Sequence, residues 1–299
     1  MQIVRTPGSA RAIARTLARP VGFVPTMGAL HAGHLALVDR ARRENVSVVA
    51  SIFVNPLQFG PAEDFDKYPR AFERDVELLA AHGVDLLYAP AVERMYPPTF
   101  SASIDMGPIG SVFEGARRPG HFTGVATVVA KLLHAVEPTS LYLGQKDVQQ
   151  TVVLRAMVRD LDMATNVVVA PTEREPDGLA RSSRNVYLSV EERSAAPSLY
   201  RAITAVARAV EAGETDPERA LAAGRGLLAA PLVWDYLAIV DPATFVPCDP
   251  VVRPAVVVAV ARVGAVRLLD NVSIPSLSGV DPIVTPPHEL PRGVRARTT

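Results

Sequence analysis

The sequence predicts an α/β protein: a mostly parallel sheet with helices on both faces, followed by a smaller C-terminal α+β domain. Three observations carry this. Short β-branched runs alternate with helix-patterned segments through the first 170 residues, and strands separated by helices of that length form parallel βαβ units. After about residue 185 the pattern changes to alanine-rich helices and then three closely spaced strands. The chain has 299 residues, near the size at which one core stops growing and a second domain appears.

The elements follow in order. Residues 21–25 read as a strand, 34–44 as a helix, 46–54 as a second strand and 71–82 as a second helix. A strand at 84–89 comes next, then a helix over 122–136, a short strand at 141–143, a helix over 148–160 and a strand at 166–170. Beyond these, one long helix is expected over 190–212 and another over 217–229, weakened by Gly224 and Gly226. Strands are expected at 234–240, 255–261 and 265–269. These give a Rossmann-like domain over 1–172 and an α+β lid domain over 173–280. The tail over 281–299 holds Pro282, Pro286, Pro287 and Pro291, and is expected to be mobile.

Composition narrows the function. A hydrophobic fraction of 48% excludes a disordered chain, and 31 basic against 31 acidic side chains imply no net attraction to nucleic acid or an anionic membrane. Cys248 is the only cysteine, so no intramolecular disulfide forms. The N-terminus lacks a basic stretch followed by an apolar run, and no apolar stretch is long enough to span a bilayer. A cytoplasmic protein is the expectation.

Four constellations carry chemistry, three of them just after strand ends, where open α/β sheets bind ligands. In the first, Thr26, Met27, Gly28, Ala29, Leu30, His31, Ala32, Gly33 and His34 follow a strand and open a helix. The glycines permit close backbone approach, and the helix N-terminus offers amides and a positive dipole end to phosphate. His31 and His34, three apart, can donate to phosphate oxygens as charge develops. A metal pair or two ordinary surface histidines remain alternatives, and the spacing fits neither a Walker loop nor a dinucleotide fingerprint.

In the second, Asn55 and Gln58 offer amides that both donate and accept, as a hydroxy acid requires. Asn55 before Pro56 can instead simply form a turn. In the third, Gly144, Gln145, Lys146 and Asp147 precede a helix carrying Gln150. Lys146 can neutralise phosphate and Asp147 can accept from a ribose hydroxyl, the less favoured alternative being a solvated turn with a surface ion pair. In the fourth, Arg181, Ser182, Ser183 and Arg184 set hydroxyls beside arginines, either as a phosphate clamp or as a polar linker. His121 to Val125 precede a helix that Thr123 is placed to cap, and Val128 and Val129 line either a ligand pocket or the core. His82, His134 and His288 are read as ordinary residues.

The string from Pro25 to His34 resembles the pantothenate synthetase family. His31, Ala32, Gly33 and His34 are similar to the histidine signature of the nucleotidylyltransferase superfamily, shared with class I aminoacyl-tRNA synthetases. The likeness runs over residues 21–188, with weaker similarity through Asp270 and Asn271. It implies an AMP-forming ligase that joins (R)-pantoate to β-alanine through pantoyl adenylate, with MgATP as co-substrate, acting as a homodimer. It implies ATP contacts along Met27 to His34, along Gly144 to Asp147, and at Glu173, Arg181, Ser182, Ser183 and Arg184. His34, His31, Lys146 and Arg184 carry the catalysis in that reading. Gln58, Gln150, Asn55 and Met27 meet pantoate, Gln58 also meets β-alanine, and Asp75 is an outer contact for magnesium. The chain departs from the family pattern at Gln145, where glutamate is expected, and at Val148, where an aromatic residue is expected. Arg181 stands where methionine is expected, and Glu173 where an aliphatic residue is expected. Two other functions fit the residues alone: transfer of AMP to a phosphate acceptor, and a nucleotide-binding module without turnover.

Overall fold

A computed structural model describes residues 1–60, 65, 66, 68–264 and 266–287. The chain forms two compact units. Among the described residues the first comprises those in 1–144 and 153–170 together with Pro286 and Pro287; the second comprises those in 145–152 and 171–285.

In the first unit, β1 (Gln2–Val4) leads to α1 (Pro7–Ala14). β2 (Val21–Thr26), α2 (Ala32–Glu44), β3 (Ser47–Ile52), α3 (Phe72–Ala81) and β4 (Leu86–Tyr88) follow. Next come short helices α4 (Val92–Met95) and α5 (Glu114–Arg117), then α6 (His121–Val136) and β5 (Ser140–Gly144). Helix α7 (Val148–Asp160) leads to β6 (Asn166–Ala170). The six strands form one parallel sheet in the order β1-β4-β3-β2-β5-β6. The order reverses at β2, which lies between β3 and β5, so the loop leaving β2 opens at the switch point where such sheets bind ligands.

Both sheet faces are buried, and the side chains alternate between them with period two. Phe23, Val49, Leu86, Tyr88 and Leu141 join the core under α1 and α6. Val24, Val48, Ala50, Leu87 and Tyr142 join the core under α2 and α3. This is why the strands read as continuous apolar runs rather than as alternating ones.

The second unit holds α8 (Val190–Ala195), α9 (Ser198–Glu211) and α10 (Pro217–Arg225). Its antiparallel sheet has the order β7 (Val233–Val240), β8 (Ala255–Val263), β9 (Val266–Ile274). The helix expected over 190–212 is two helices, because Pro197 has no amide to donate and stands as the N-cap of α9. α10 stops at Arg225, with Gly226 at its C-cap. Thr123 does not cap α6: that helix begins earlier, after Gly120, whose φ of 81° only glycine adopts readily.

The units depart from the expected split in that residues 145–152 cluster with the second. Asp281 Oδ1 accepts from the amides of Ile283 and Val284, Ile283 is fully buried, and the Pro286 carbonyl accepts from Arg40. His288 and Pro291 lie outside the described residues.

Candidate active site

At the end of β2, Thr26 Oγ1 donates to the Ser51 carbonyl (2.8 Å) and accepts from the Gly28 amide (3.2 Å). The chain then passes through two left-handed residues, Gly28 (φ 84°) and Ala29 (φ 50°). For Ala29 that conformation costs about 1–2 kcal/mol. Asp75 on α3, only 1% exposed, holds it there. Its Oδ2 accepts from the Ala29 amide at 2.7 Å and its Oδ1 from the Leu30 amide at 2.9 Å. Asp75, expected as an outer magnesium contact, thus has both oxygens engaged in shaping this loop. A Cβ on Gly28 would lie 3.0 Å from the same carboxylate.

His31 is the N-cap of α2 rather than part of its first turn. Its Nδ1 accepts from the Gly33 amide at 3.1 Å, and His34 Nδ1 accepts from the His31 amide at 3.4 Å. The two side chains form a reciprocal cap of the kind usually built from serine and glutamate. A ring nitrogen that accepts carries no proton, so each neutral imidazole holds its proton on Nε2. The rings lie 4.1 Å apart, tilted by 37°. Capping therefore sets two N–H donors beside a helix N-terminus, an arrangement suited to an anion.

Past β3, Asn55 is 1% exposed and spends its whole hydrogen-bonding capacity inside the protein. Its Nδ2 donates to Gln58 Oε1 and to the Gly124 carbonyl, each at 3.1 Å. Its Oδ1 accepts from Tyr96 Oη (2.7 Å) and the Leu57 amide (3.3 Å). Asn55, expected among the pantoate contacts, thus has its amide engaged with Gln58, Gly124, Leu57 and Tyr96 in this structure. Gln58 Nε2 lies 3.3 Å from Met27 Sδ. His121 Nδ1 donates to the Gln58 carbonyl at 2.8 Å, and the Arg118 guanidinium reaches the same oxygen at 3.2 Å and His121 Nε2 at 3.0 Å. Val128 and Val129, 5% exposed, belong to the core. The first unit thus brings together Met27, Asn55 and Gln58, and separately pairs His31 with His34.

In the second unit, Gln145–Asp147 form a 3-10 turn leading into α7. Lys146 Nζ lies 3.3 Å from Asp147 Oδ1. Gln145 is buried and its Nε2 donates to Ser273 Oγ at 2.8 Å, so the amide that replaces the expected glutamate keeps a partner. Asn271 Nδ2 donates to the carbonyls of Gln145 and Lys146, both at 2.9 Å. Val148 is buried, and Gln150 is half-buried on the first turn of α7.

The fourth segment opens with a small hairpin in which Arg174 bridges Ala180. The Arg181 amide donates to the Glu173 carbonyl at 2.9 Å, while the Arg181 guanidinium pairs with Glu175 at 3.2 Å. Glu173 itself is exposed. Ser182 caps the 3-10 turn Ser183–Tyr187, accepting from the Arg184 amide at 3.3 Å. Among the described residues no group of three or more His, Cys, Asp or Glu is placed to hold a metal ion.

The pantoate–β-alanine ligase family model matches residues 2–273 of this chain. The chain belongs to that family. The pantothenate synthetase of Herpetosiphon aurantiacus is 53% identical over 91% of this chain and 99% of its own length. The crystal structure of the Thermus thermophilus pantothenate synthetase matches with a TM-score of 0.87 at 53% identity, covering 92% of this chain and all of that one. The Francisella tularensis pantoate–β-alanine ligase, complexed with β,γ ATP and β-alanine, matches with a TM-score of 0.72 at 32% identity, over 92% and 98% of the two chains.

Sequence reasoning missed that Tyr96 would bond Asn55, that Arg118 and His121 would bond the Gln58 carbonyl, and that Asp75 would bond the amides of Ala29 and Leu30. Arg118, three residues before His121 at the head of the His121–Val125 segment, was the available signal. Tyr96 stands 41 positions from Asn55 and gave none.

Proposed function

We propose that this chain condenses (R)-pantoate with β-alanine to give pantothenate, consuming ATP and releasing AMP and pyrophosphate. The observation that carries the reading is the His31–His34 pair, whose Nδ1 atoms are committed to capping so that the Nε2–H groups are the donors. Family membership supplies the reaction class.

The chemistry divides into two displacements. A carboxylate oxygen of pantoate attacks the α-phosphorus of MgATP, and the bond to the bridging oxygen of pyrophosphate breaks. The amine of β-alanine then attacks the acyl carbon of pantoyl adenylate. The tetrahedral intermediate expels AMP, and the nitrogen loses a proton to solvent. Activation is required because oxide is a poor leaving group and AMP a far better one. The protein contributes position and charge stabilisation rather than a covalent nucleophile.

His34 and His31 donate to the triphosphate as charge moves onto pyrophosphate, and the loop from Met27 to Gly33 approaches the nucleotide through its backbone. Gln58 takes pantoate and then β-alanine, with Asn55 acting through it. Lys146 and Arg184 hold the β- and γ-phosphates, assisted by Ser182 and Ser183. Gly144, Gln145 and Asp147 meet the nucleoside, Glu173 and Arg181 meet it through backbone, and Gln150 meets pantoate. Magnesium arrives with ATP as part of the substrate and needs few protein ligands. A cytoplasmic homodimer is part of the same reading. Among the described residues no helix is long and apolar enough to cross a membrane.

The test is direct. Purified protein is mixed with ATP, magnesium, D-pantoate and β-alanine, and AMP and pantothenate are followed together. Equimolar appearance of both is expected. AMP without pantothenate would reject the ligase and favour transfer to another acceptor, and ATP binding without AMP would leave a nucleotide-binding module.

A further inference from the structure

Asp270 and Asn271 are adjacent on β9, buried to 5% and 2% exposure, and the chemistry above gives them no task. Neighbouring residues on a strand point to opposite faces of the sheet. Here each face meets a different segment of the second unit. On one face Asn271 Nδ2 donates to both the Gln145 and Lys146 carbonyls at 2.9 Å, and Ser273, two residues on, accepts from Gln145 Nε2 at 2.8 Å. On the other face Asp270 holds Arg174 through two bonds of 2.6 and 2.8 Å. Arg174 lies over the Tyr200 ring at 3.7 Å, and it also donates to the Gly178 carbonyl at 3.0 Å. Arg174 and Gly178 belong to the hairpin that delivers Arg181 to Arg184.

We propose that the Asp270–Asn271 pair is the positioning element of the ATP-phosphate machinery, clamping the Lys146 turn on one face of β9 and the hairpin before Arg184 on the other. The proposal rests on the functional reading above for the identity of the ligand. Its physical content lies in the donors. Two carbonyls converging on one amide nitrogen fix the direction in which the 145–147 turn presents Lys146, and a bidentate guanidinium fixes the hairpin by plane as well as by distance. Asn271 Oδ1 is buried with no hydrogen-bond partner among the described residues, so the side chain is held by its donor half alone. A residue selected only to fill space there would need no polar atoms.

The experiment compares Asn271→Asp, Ser273→Ala and Arg174→Lys with the unaltered chain. Asn271→Asp is isosteric but turns a donor into a carboxylate oxygen facing two carbonyls. Each protein is titrated with ATP by calorimetry, assayed for the KM of ATP and β-alanine, and melted. Asn271→Asp should weaken ATP binding and raise its KM by about 10-fold or more, with the KM for β-alanine within about twofold. Ser273→Ala and Arg174→Lys should move ATP in the same direction by about two- to fivefold. Val257→Ala, a core truncation in the same sheet, controls for stability. If it shifts ATP affinity as much as Asn271→Asp at equal loss of melting temperature, or if ATP and β-alanine constants rise together, the positioning role is overturned. Should Asn271→Asp not fold, the two milder variants decide by the same criteria. ATP affinity is read without turnover, so an unaltered chain that binds ATP and makes no pantothenate defeats the functional reading while the variants still judge this one.

Discussion

At the scale of single residues, the structural task of a side chain constrains the chemistry proposed for it. His31 and His34 cap α2 through Nδ1, which sets the Nε2–H tautomer that a phosphate oxygen requires. His34→Ala removes one such donor, and AMP formation should fall by roughly 10²–10³-fold, the usual consequence of losing about 3–4 kcal/mol of transition-state stabilisation. Steady-state assay of AMP release checks this, and a variant keeping half its activity would take His34 out of the mechanism. Asn55 shows what a single sequence can and cannot disclose. Its turn-forming bond to the Leu57 amide was legible from the following proline. Its bonds to Tyr96 and Gly124 were not, because nothing local announces a partner 41 or 69 positions away. Burial holds the Tyr96 phenol well above the usual tyrosine range, so it stays a donor to Asn55 through the working pH. Tyr96→Phe should loosen Asn55 and hence Gln58, raising the KM for pantoate by about three- to tenfold while leaving that for ATP unchanged. Initial-rate kinetics with each substrate varied would show the split, and equal rises in both constants would contradict it.

Elements were legible where periodicity and punctuation agree, and less so where a long-range contact sets the boundary. β5, β6 and α7 lie where the pattern put them, to within a residue. The division of α8 from α9 and the β1–α1 unit were missed, although Pro197 and the Thr6–Pro7 pair, a capping residue followed by proline, mark them. Thr6 Oγ1 indeed accepts from the Ser9 amide at 3.2 Å. The start of α6 was read to within one residue, but its packing against the loop of the Pro56–Gln58 turn was not. A Cβ at Gly124 would stand 2.2 Å from the Leu57 carbonyl oxygen and 2.8 Å from the Gln58 amide nitrogen, both backbone atoms that cannot step aside. Glycine at 124 is thus what lets the helix lie against the loop carrying Gln58. Gly124→Ala should destabilise the first unit by about 1–3 kcal/mol through overpacking. Because the displaced atoms belong to the Gln58 turn, pantoate affinity should fall with it. Urea unfolding together with a pantoate titration checks both, and an alanine variant with unchanged affinity would sever this link between helix packing and site.

At the scale of the whole molecule, the alternation of strands and helices was enough to predict a parallel sheet and a smaller α+β unit. Strand order was not legible: β1 pairs with β4, 84 residues away, and no local feature of Gln2–Val4 says so. Nor was the return of residues 145–152 to the second unit, which depends on what β9 offers them. The sheet's burial on both faces has a further consequence, because it encloses tyrosines. Tyr88 and Tyr142 are almost wholly buried, and burial pushes the Tyr88 phenol up to about 12. Tyr142 is raised further, by burial first and then by the Glu44 carboxylate to which it donates at 2.9 Å. An unfolded tyrosine ionises near pH 10. Above that pH the unfolded chain releases protons that the folded chain keeps, so the unfolded state binds fewer and stability falls as pH rises. For Tyr88 this stabilisation is intact below about pH 10 and is lost progressively toward pH 12. Tyr88 is also the clean test, since its buried hydroxyl has no hydrogen-bond partner among the described residues. Tyr88→Phe should therefore be near neutral in stability at pH 7, yet exceed the unaltered chain by about 1 kcal/mol at pH 11. Denaturant unfolding at the two pH values measures the difference. Equal effects at both would mean that the Tyr88 phenol ionises as readily in the fold as out of it.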